Sequence, residues 1–399
     1  MQKEVYVLNA VRTAIGNYGG ALRNVPSREL SKIVISEVVK RAKISPENID
    51  EVIMGEVRQS TEAGNMARVA ALMAGIPETT PAFTVNRLCA SSMQAVRSGW
   101  QEIICGDSEL VIAGGSENMS RAVFYIRGGR FGDVQPSFVD SNVEAGPYSQ
   151  PPEIYGKDLS MGITAENVAQ QYQVSREDQD AFAFDSQQKA IKAIDSGRFA
   201  DEIVSVEIKE RKGTKVFNVD EFPRRDISME ALAKLKPVFK KEGGTVTAGN
   251  ACGRNDGGSA VLLGTKEKAK ELGIEPMAKI LDISRVGLSP YIMGVGPIPA
   301  VQDVLKKTGL KIEDIELVEM NEAFASQALA CARELNINPQ TLNVNGGGIA
   351  LGHPMGATGA RLITSLVHEL VKTGKRYGIA TLCIGGGQGM ATLVENMRR

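Results

Sequence analysis

The sequence predicts an α/β protein of stacked sheet and helix layers, with one layered unit present twice and a segment of different character inserted between its parts. Three observations carry this. Short apolar runs of strand length alternate with segments of helical periodicity, the pattern of sheets covered by helices. IDEVIMGE (49–56) is echoed by IELVEMNE (315–322), and VIAGGSENM (111–119) by LCIGGGQGM (382–390), in the same order and at nearly the same separation. Residues 120–160 carry glycine, proline and polar residues without periodicity, and so long a stretch in a compact domain is usually a functional loop or an inserted subdomain.

In chain order, strands are expected at 5–8, 51–54, 82–85, 110–113, 260–263, 280–286, 317–320 and 379–384, each a short apolar run. Helices are expected at 27–42, 91–104, 164–172, 176–196, 298–307 and 359–372. Ser175 and Asp178 resemble a capping box at the head of the longest of these, with Asp in place of the usual Glu or Gln. The irregular region closes near Lys240, before GGTVTAGNACG. The expected division is 1–119 with 246–272 as a first half, 120–245 as an inserted lid, and 273–399 as a second half.

Composition excludes several function classes. With 46 basic and 47 acidic residues the formal net charge is −1, so there is no global attraction to nucleic acid or to an anionic membrane. No segment approaches the roughly 18 consecutive apolar residues of a membrane span, and the N-terminus enters a strand-like run without a signal-peptide pattern, so a cytoplasmic location is expected. The cysteines at 89, 105, 252, 331 and 383 are odd in number, widely spaced and free of CxxC, which argues against a disulfide framework or a zinc site. His353 and His368 are the only histidines.

Cys89 lies in NRLCASSMQA between an extended run and a helical one. A helix N-terminus offers free N–H groups and the positive end of the dipole, which favour a thiolate and a developing oxyanion, and small neighbours leave room for a thioester. His353 lies in the glycine-rich NGGGIALGHPMGATGA, where backbone can approach a ligand closely, and a helix is expected from about Gly359. His368 sits within an amphipathic helix and reads as a surface residue. Cys383 ends a strand before a glycine turn, and the repeat sets it against Ile112. Asn321 also ends a strand, and open α/β sheets bind ligands beyond such ends. The glycine runs match neither the dinucleotide fingerprint nor a phosphate-binding loop with its lysine and hydroxyl.

Four segments in order, NRLCASSMQA, NEAFA, GHPMGATG and CIGGGQG, resemble the thiolase family, with GGTVTAGNACGRNDGG and IMGVGPIPA in support. The resemblance covers essentially the whole chain. It implies a five-layered αβαβα fold of two similar halves with a loop domain inserted in the first. It implies Cys89 as the acylated nucleophile, His353 as the base that activates it, and Cys383 as the second acid/base. Asn321 would hold a water that forms one oxyanion hole with His353, and the N–H groups of Cys89 and Gly385 would form the other. Arg224, Cys252, Ser160, Met161 and Phe324 fall at positions that contact substrate or coenzyme A. The implied partners are acyl-CoA, coenzyme A and further copies of the chain in a homodimer or homotetramer. No metal or redox cofactor is implied, because coenzyme A thioesters are the substrates.

Two positions depart from the acetoacetyl-CoA type: Ser160 stands where a His precedes Met-Gly, and Cys252 where TAGNAS has a small hydroxyl residue. Thiolysis of longer or unusual 3-oxoacyl-CoA is therefore the alternative substrate reading. A ketoacyl synthase would also use one Cys, one His and one Asn, but decarboxylative condensation has no use for Cys383. A non-catalytic protein of this fold predicts loss of catalytic residues, and none is missing.

Overall fold

The computed structural model describes residues 3–132, 135, 137–211 and 213–399. Its principal strands are β1 (Val5–Thr13), β2 (Glu51–Gly55), β3 (Ala82–Val85), β4 (Leu110–Asn118), β5 (Asn255–Thr265), β6 (Ala278–Gly287), β7 (Leu317–Met320), β8 (Tyr377–Ile384) and β9 (Gln388–Asn396). They hydrogen-bond in the order β7-β8-β9-β6-β1-β5-β4-β2-β3. The principal helices are α1 (Ser27–Ala42), α2 (Met66–Met73), α3 (Ser91–Cys105), α4 (Met161–Gln171), α5 (Arg176–Asp195), α6 (Pro297–Thr308), α7 (Ala325–Glu334) and α8 (Met355–Thr373).

The layers follow from which faces are apolar. α1 and α2 bury Val34, Val38 and Ala70 against the outward side chains of β1, β2 and β4. α6 and α7 bury Val301, Val304 and Ala328 against β7, β8 and β9. Between the two half-sheets lie α3 and α8, whose Met93, Val96, Leu362 and Leu366 join one core with Val261 and Leu263 of β5 and Leu382 and Ile384 of β8. A helix apolar on every side belongs in such an interior position, and nearly every residue of α8 from Gly356 to Leu370 is buried. The result is helix, sheet, helix, sheet, helix.

The halves repeat each other. β2 runs parallel to β4, which is antiparallel to β5; likewise β7 runs parallel to β8, which is antiparallel to β9. The register corrects the sequence alignment of the second motif. Val52 faces Ile112 and Val318 faces Ile379, so Ile112 is matched by Ile379. Cys383 corresponds to Ser116, whose hydroxyl is bonded to Ser27 and Ser31. β1 joins the halves: it pairs with β5 along most of its length and with β6 through Val5–Val7 against Ile280–Ala278.

Other differences are local. β9, α2 and α7 are not evident from periodicity, because β9 is buried on both faces and α2 and α7 are short and rich in alanine. The irregular stretch holds a hairpin of Phe124–Arg127 with Ser137–Asp140, and a second hairpin pairs Val206–Glu210 with Gly213–Phe217. Asp133, Val134, Pro136 and Lys212, within these regions, and Met1 and Gln2 lie outside the described residues. α8 starts at Met355, earlier than expected, since Pro354 and the glycines lead directly into it. His368 is not a surface residue: its ring is largely enclosed and Nε2 meets the Ala10 carbonyl at 2.9 Å. Among the described residues no helix is long and apolar enough to cross a membrane.

Candidate active site

The turn from β3 to α3 carries Cys89. Leu88, just before it, has φ +46°, a left-handed conformation that costs a non-glycine residue about 1–3 kcal/mol. Side chains hold it there. Ser91 Oγ accepts from the Arg87 N–H (2.9 Å) and donates to the Leu88 carbonyl (2.7 Å), and Asn86 Oδ1 accepts from the Leu88 N–H (2.9 Å). Two glycines let α3 approach its neighbours: a Cβ on Gly55 would lie 2.5 Å from the Ser91 carbonyl carbon, and one on Gly359 2.5 Å from the Met93 nitrogen. The half-buried Cys89 thiol is therefore placed by backbone packed against β2 and α8.

Burial pushes the Cys89 thiol up, against the opposing pull of the Gly385 and Cys89 N–H groups and of the Arg58 charge. The helix terminus expected to favour a thiolate is thus outweighed in the resting protein, and ionising the sulfur requires a base.

His353 supplies one. Its ring is buried, and Nδ1 lies 2.7 Å from Thr358 Oγ1. That hydroxyl donates to the Pro354 carbonyl (2.9 Å), so it accepts from His353. The proton therefore sits on Nδ1, leaving Nε2 as a lone-pair acceptor. Nε2 has no hydrogen-bond partner among the described residues. Burial, then the positive charge of Arg361, push the imidazole down to about 3, so it is neutral near pH 7. The backbone is fixed as well: the His353 N–H donates to Asn255 Oδ1 (3.0 Å), and Glu117 accepts from the Gly356 N–H (2.9 Å) at the start of α8.

Cys383 is buried at the end of β8. Its thiol is pushed well above the usual range by burial, then by the charges of Cys89, Cys331 and Cys252, so it rests protonated. Asn321 is fully buried at the end of β7, and neither its amide nitrogen nor its oxygen has a partner among the described residues.

Cys89, His353 and Cys383 line one cleft of about 280 Å³, together with Cys252, Ser160, Met161 and Phe324. Cys252 is set by antiparallel contacts with the Asn321 loop, its N–H donating to the Ala323 carbonyl (3.0 Å) and the Ala325 N–H donating to Asn250 (2.9 Å). Its thiol is pushed up to about 12, by burial and then by Cys89. Ser160 caps α4, its hydroxyl accepting from the Ile163 N–H. Asn321 and Gly385 are not among the residues that line it. Arg224 is not part of it: its guanidinium stacks 5.8 Å from the Phe222 ring, and the adjacent Arg225 pairs with Asp195.

Sequence reasoning missed Arg58, Phe239 and Met293, which also line the cleft. Phe239 meets Phe324 edge to face at 6.4 Å, and its ring occupies the space a Cβ on Gly162 would need. The only sequence signal for Phe239 is its place shortly before GGTVTAGN, and Arg58 follows the first copy of the repeat after Val57. Among the described residues no group of three His, Cys, Asp or Glu is arranged to hold a metal ion.

Residues 5–267 match the thiolase N-terminal domain and residues 274–396 the thiolase C-terminal domain. The chain is 48% identical over 397 residues to the acetyl-CoA acetyltransferase of Syntrophomonas wolfei, covering 99% of this chain and 100% of that one. It is 46% identical over 400 residues to a probable acetyl-CoA acyltransferase of Staphylococcus aureus, covering 99% of each. The crystal structure of the Bacillus anthracis acetyl-CoA acetyltransferase superposes with a TM-score of 0.95 at 46% identity over 99% of both chains. That of human mitochondrial 3-ketoacyl-CoA thiolase in complex with CoA does so with 0.93 at 42% identity, over 99% of this chain and 98% of that one.

Proposed function

The chain belongs to the thiolase family, and on that premise we propose that it is an acyl-CoA:acetyl-CoA C-acyltransferase, joining two acetyl-CoA into acetoacetyl-CoA and coenzyme A and running the reverse thiolysis. The observation that carries this reading is the convergence of Cys89, Cys383 and the free Nε2 of His353 on one cleft.

In this reading His353 Nε2 takes the proton of Cys89 as the sulfur attacks the thioester carbonyl, and returns it to the departing coenzyme A thiolate. Acetyl-Cys89 remains. Cys383 then passes its thiol proton to His353, and the resulting thiolate removes a proton from the methyl group of a second acetyl-CoA; the enolate attacks the acetyl carbonyl, and the released Cys89 sulfur takes the proton back from His353. Negative charge develops on two different thioester oxygens. The N–H groups of Gly385 and Cys89, which already favour charge on the sulfur, suit one oxygen. A water on Asn321 with His353 Nε2 suits the other. The acyl transfer between coenzyme A and Cys89 is thioester for thioester, nearly isoenergetic, and the chemistry requires no metal or redox cofactor. Ser160, Met161, Cys252 and Phe324 would contact the bound thioester, and 120–245 would form the lid between 1–119 with 246–272 and 273–399.

A homodimer or homotetramer is part of the proposal. Among the described residues β3 ends the sheet with one edge unpaired, and Phe83 on it is exposed. The hairpin of Phe124–Arg127 and Ser137–Asp140 turns Phe124, Tyr125, Ile126 and Phe138 to solvent. Unpaired edges and clustered apolar side chains are the surfaces that association covers.

The test is intact mass after incubation with acetyl-CoA. One acetyl group is expected on Cys89, lost on adding coenzyme A. Equal acetylation of the Cys89→Ala variant refutes the assignment. The Cys383→Ala variant is expected to acetylate but not to cleave acetoacetyl-CoA, and full cleavage by it refutes the acid/base role.

A further inference from the structure

Arg58 is a cation beside the nucleophile that the acetyl-transfer chemistry leaves without a task. It follows β2, and its backbone N–H donates to Glu117 Oε1 at 2.9 Å. The remaining demand of Glu117 is met by the Val57 and Gly356 N–H groups, both on Oε2. The carboxylate is thereby occupied by three backbone donors. The Arg58 guanidinium itself makes no hydrogen bond or ion pair among the described residues, and its Nε is buried without a partner. It is half-buried on the cleft wall, and its charge reaches the Cys89 sulfur, where it favours the thiolate. The charge also faces the Glu117 carboxylate, but the buried Nε donor stays unmet, and a carboxylate ligand would complete it with a charge-assisted hydrogen bond.

The cleft has the matching asymmetry. Arg58 and Arg254 line it and no Asp or Glu does. The two arginines differ in what they can reach. Arg254 is exposed, as suits the phosphates of coenzyme A. Arg58 lies near Cys89, and the pantetheine arm between the thioester and the diphosphate is long and uncharged. An anion within reach of Arg58 therefore belongs to the acyl group. Met119 and Val143 on the same cleft offer apolar contact for the intervening methylenes.

We propose that Arg58 selects, among acyl groups longer than acetyl, those bearing a carboxylate at the end remote from the thioester, so that beyond acetoacetyl-CoA the protein takes a short dicarboxylic 3-oxoacyl-CoA in preference to its uncharged counterpart. The proposal rests on the thiolase reading and names its substrate class. Thiolysis of such a chain leaves a carboxyacyl group on Cys89, with its carboxylate a few carbons from the sulfur and facing the Arg58 fork. A planar guanidinium binds that group through two parallel N–H donors, which a lysine ammonium does not reproduce.

The test compares kcat/KM for thiolysis of 3-oxohexanedioyl-CoA and 3-oxohexanoyl-CoA, which have equal carbon counts and differ in the terminal carboxylate. The wild-type protein is expected to favour the carboxylated chain by roughly ten- to a hundredfold, the range of a charged hydrogen-bonded contact. Arg58→Met is expected to bring the ratio close to unity, and Arg58→Lys to leave it between the two. A wild-type ratio near unity overturns the proposal. So does a wild-type preference that Arg58→Met retains, or a loss shared equally by both substrates, which would assign the charge to Cys89 reactivity. Acetoacetyl-CoA is the control, since a wild-type protein that fails to cleave it contradicts the thiolase reading itself.

Discussion

With its pKa pushed down to about 3, the His353 imidazole stays neutral through the physiological range, and Thr358 decides which nitrogen carries the proton. The unfolded histidine titrates near about 6.5. The native state therefore gains nothing from His353 above that value and loses stability as pH falls below it, because the unfolded chain binds a proton that the folded one refuses. The kcat/KM profile is accordingly expected to show no inflection between pH 5 and 8 from this residue; a histidine-type limb near pH 6.5 would contradict the neutral-base assignment. Replacing Thr358 by Val removes the acceptor for Nδ1–H. Loss of a hydrogen-bonded orienting partner of this kind is expected to lower kcat about 10- to 100-fold, with Thr358→Ser close to wild type; an unchanged kcat in Thr358→Val would show that the ring orients without it. Cys89, His353, Cys383 and Asn321 were legible because each stands in a motif at a strand end or a glycine loop. Arg58 and Phe239 were not. They reach the cleft from segments with no pattern of their own, and only the folded chain brings them there.

Between α3 and α8 the contact is close enough that a methyl group matters. Gly359→Ala puts a Cβ against the Met93 backbone, which cannot yield as a flexible side chain would. The expected cost is about 1–3 kcal/mol from overpacking, less up to about 1 kcal/mol recovered in helix propensity. Urea denaturation measures it, and a variant as stable as wild type would mean that the helices separate freely. The strands most nearly legible were the apolar runs, and their pairing explains where the sequence reading slipped. The two glycine-rich strand ends were matched four residues out of register, Cys383 falling on Ile112 where pairing sets it against Ser116. An even slip keeps every side chain on its original face, so the alternation of a strand gives no warning of it. Cross-strand partners, absent from a single sequence, are what fix it. β9 was hidden for a related reason, since a strand buried on both sides loses its alternation.

At the scale of the molecule, the α/β layering and the duplication were readable from alternation and repeat and the five-layer order from the thiolase resemblance, whereas the surfaces that remain uncovered appear only in three dimensions. The open edge of β3 and the apolar hairpin around Phe124 and Phe138 lead to an expected dimeric or tetrameric mass in size-exclusion chromatography with light scattering. Charged substitution of Phe124 and Phe138 together is expected to reduce that mass if the hairpin is a contact, and a monomeric wild-type protein would refute the association. The position of β1 bears on how the chain is made. β1 is flanked in the sheet by β5 and β6, which are synthesised more than two hundred residues after it. Until both have emerged, the nascent chain carries β2, β3 and β4 with the inner edge of their sheet open, and of residues 5–13 only Arg12 and Thr13 have a strand to lie beside, at Ile203 and Val204. Closure of such distant pairs is slow, and apolar strand edges remain exposed meanwhile. β1 thus completes the first half-sheet only after β5 has emerged, which ties folding to late translation.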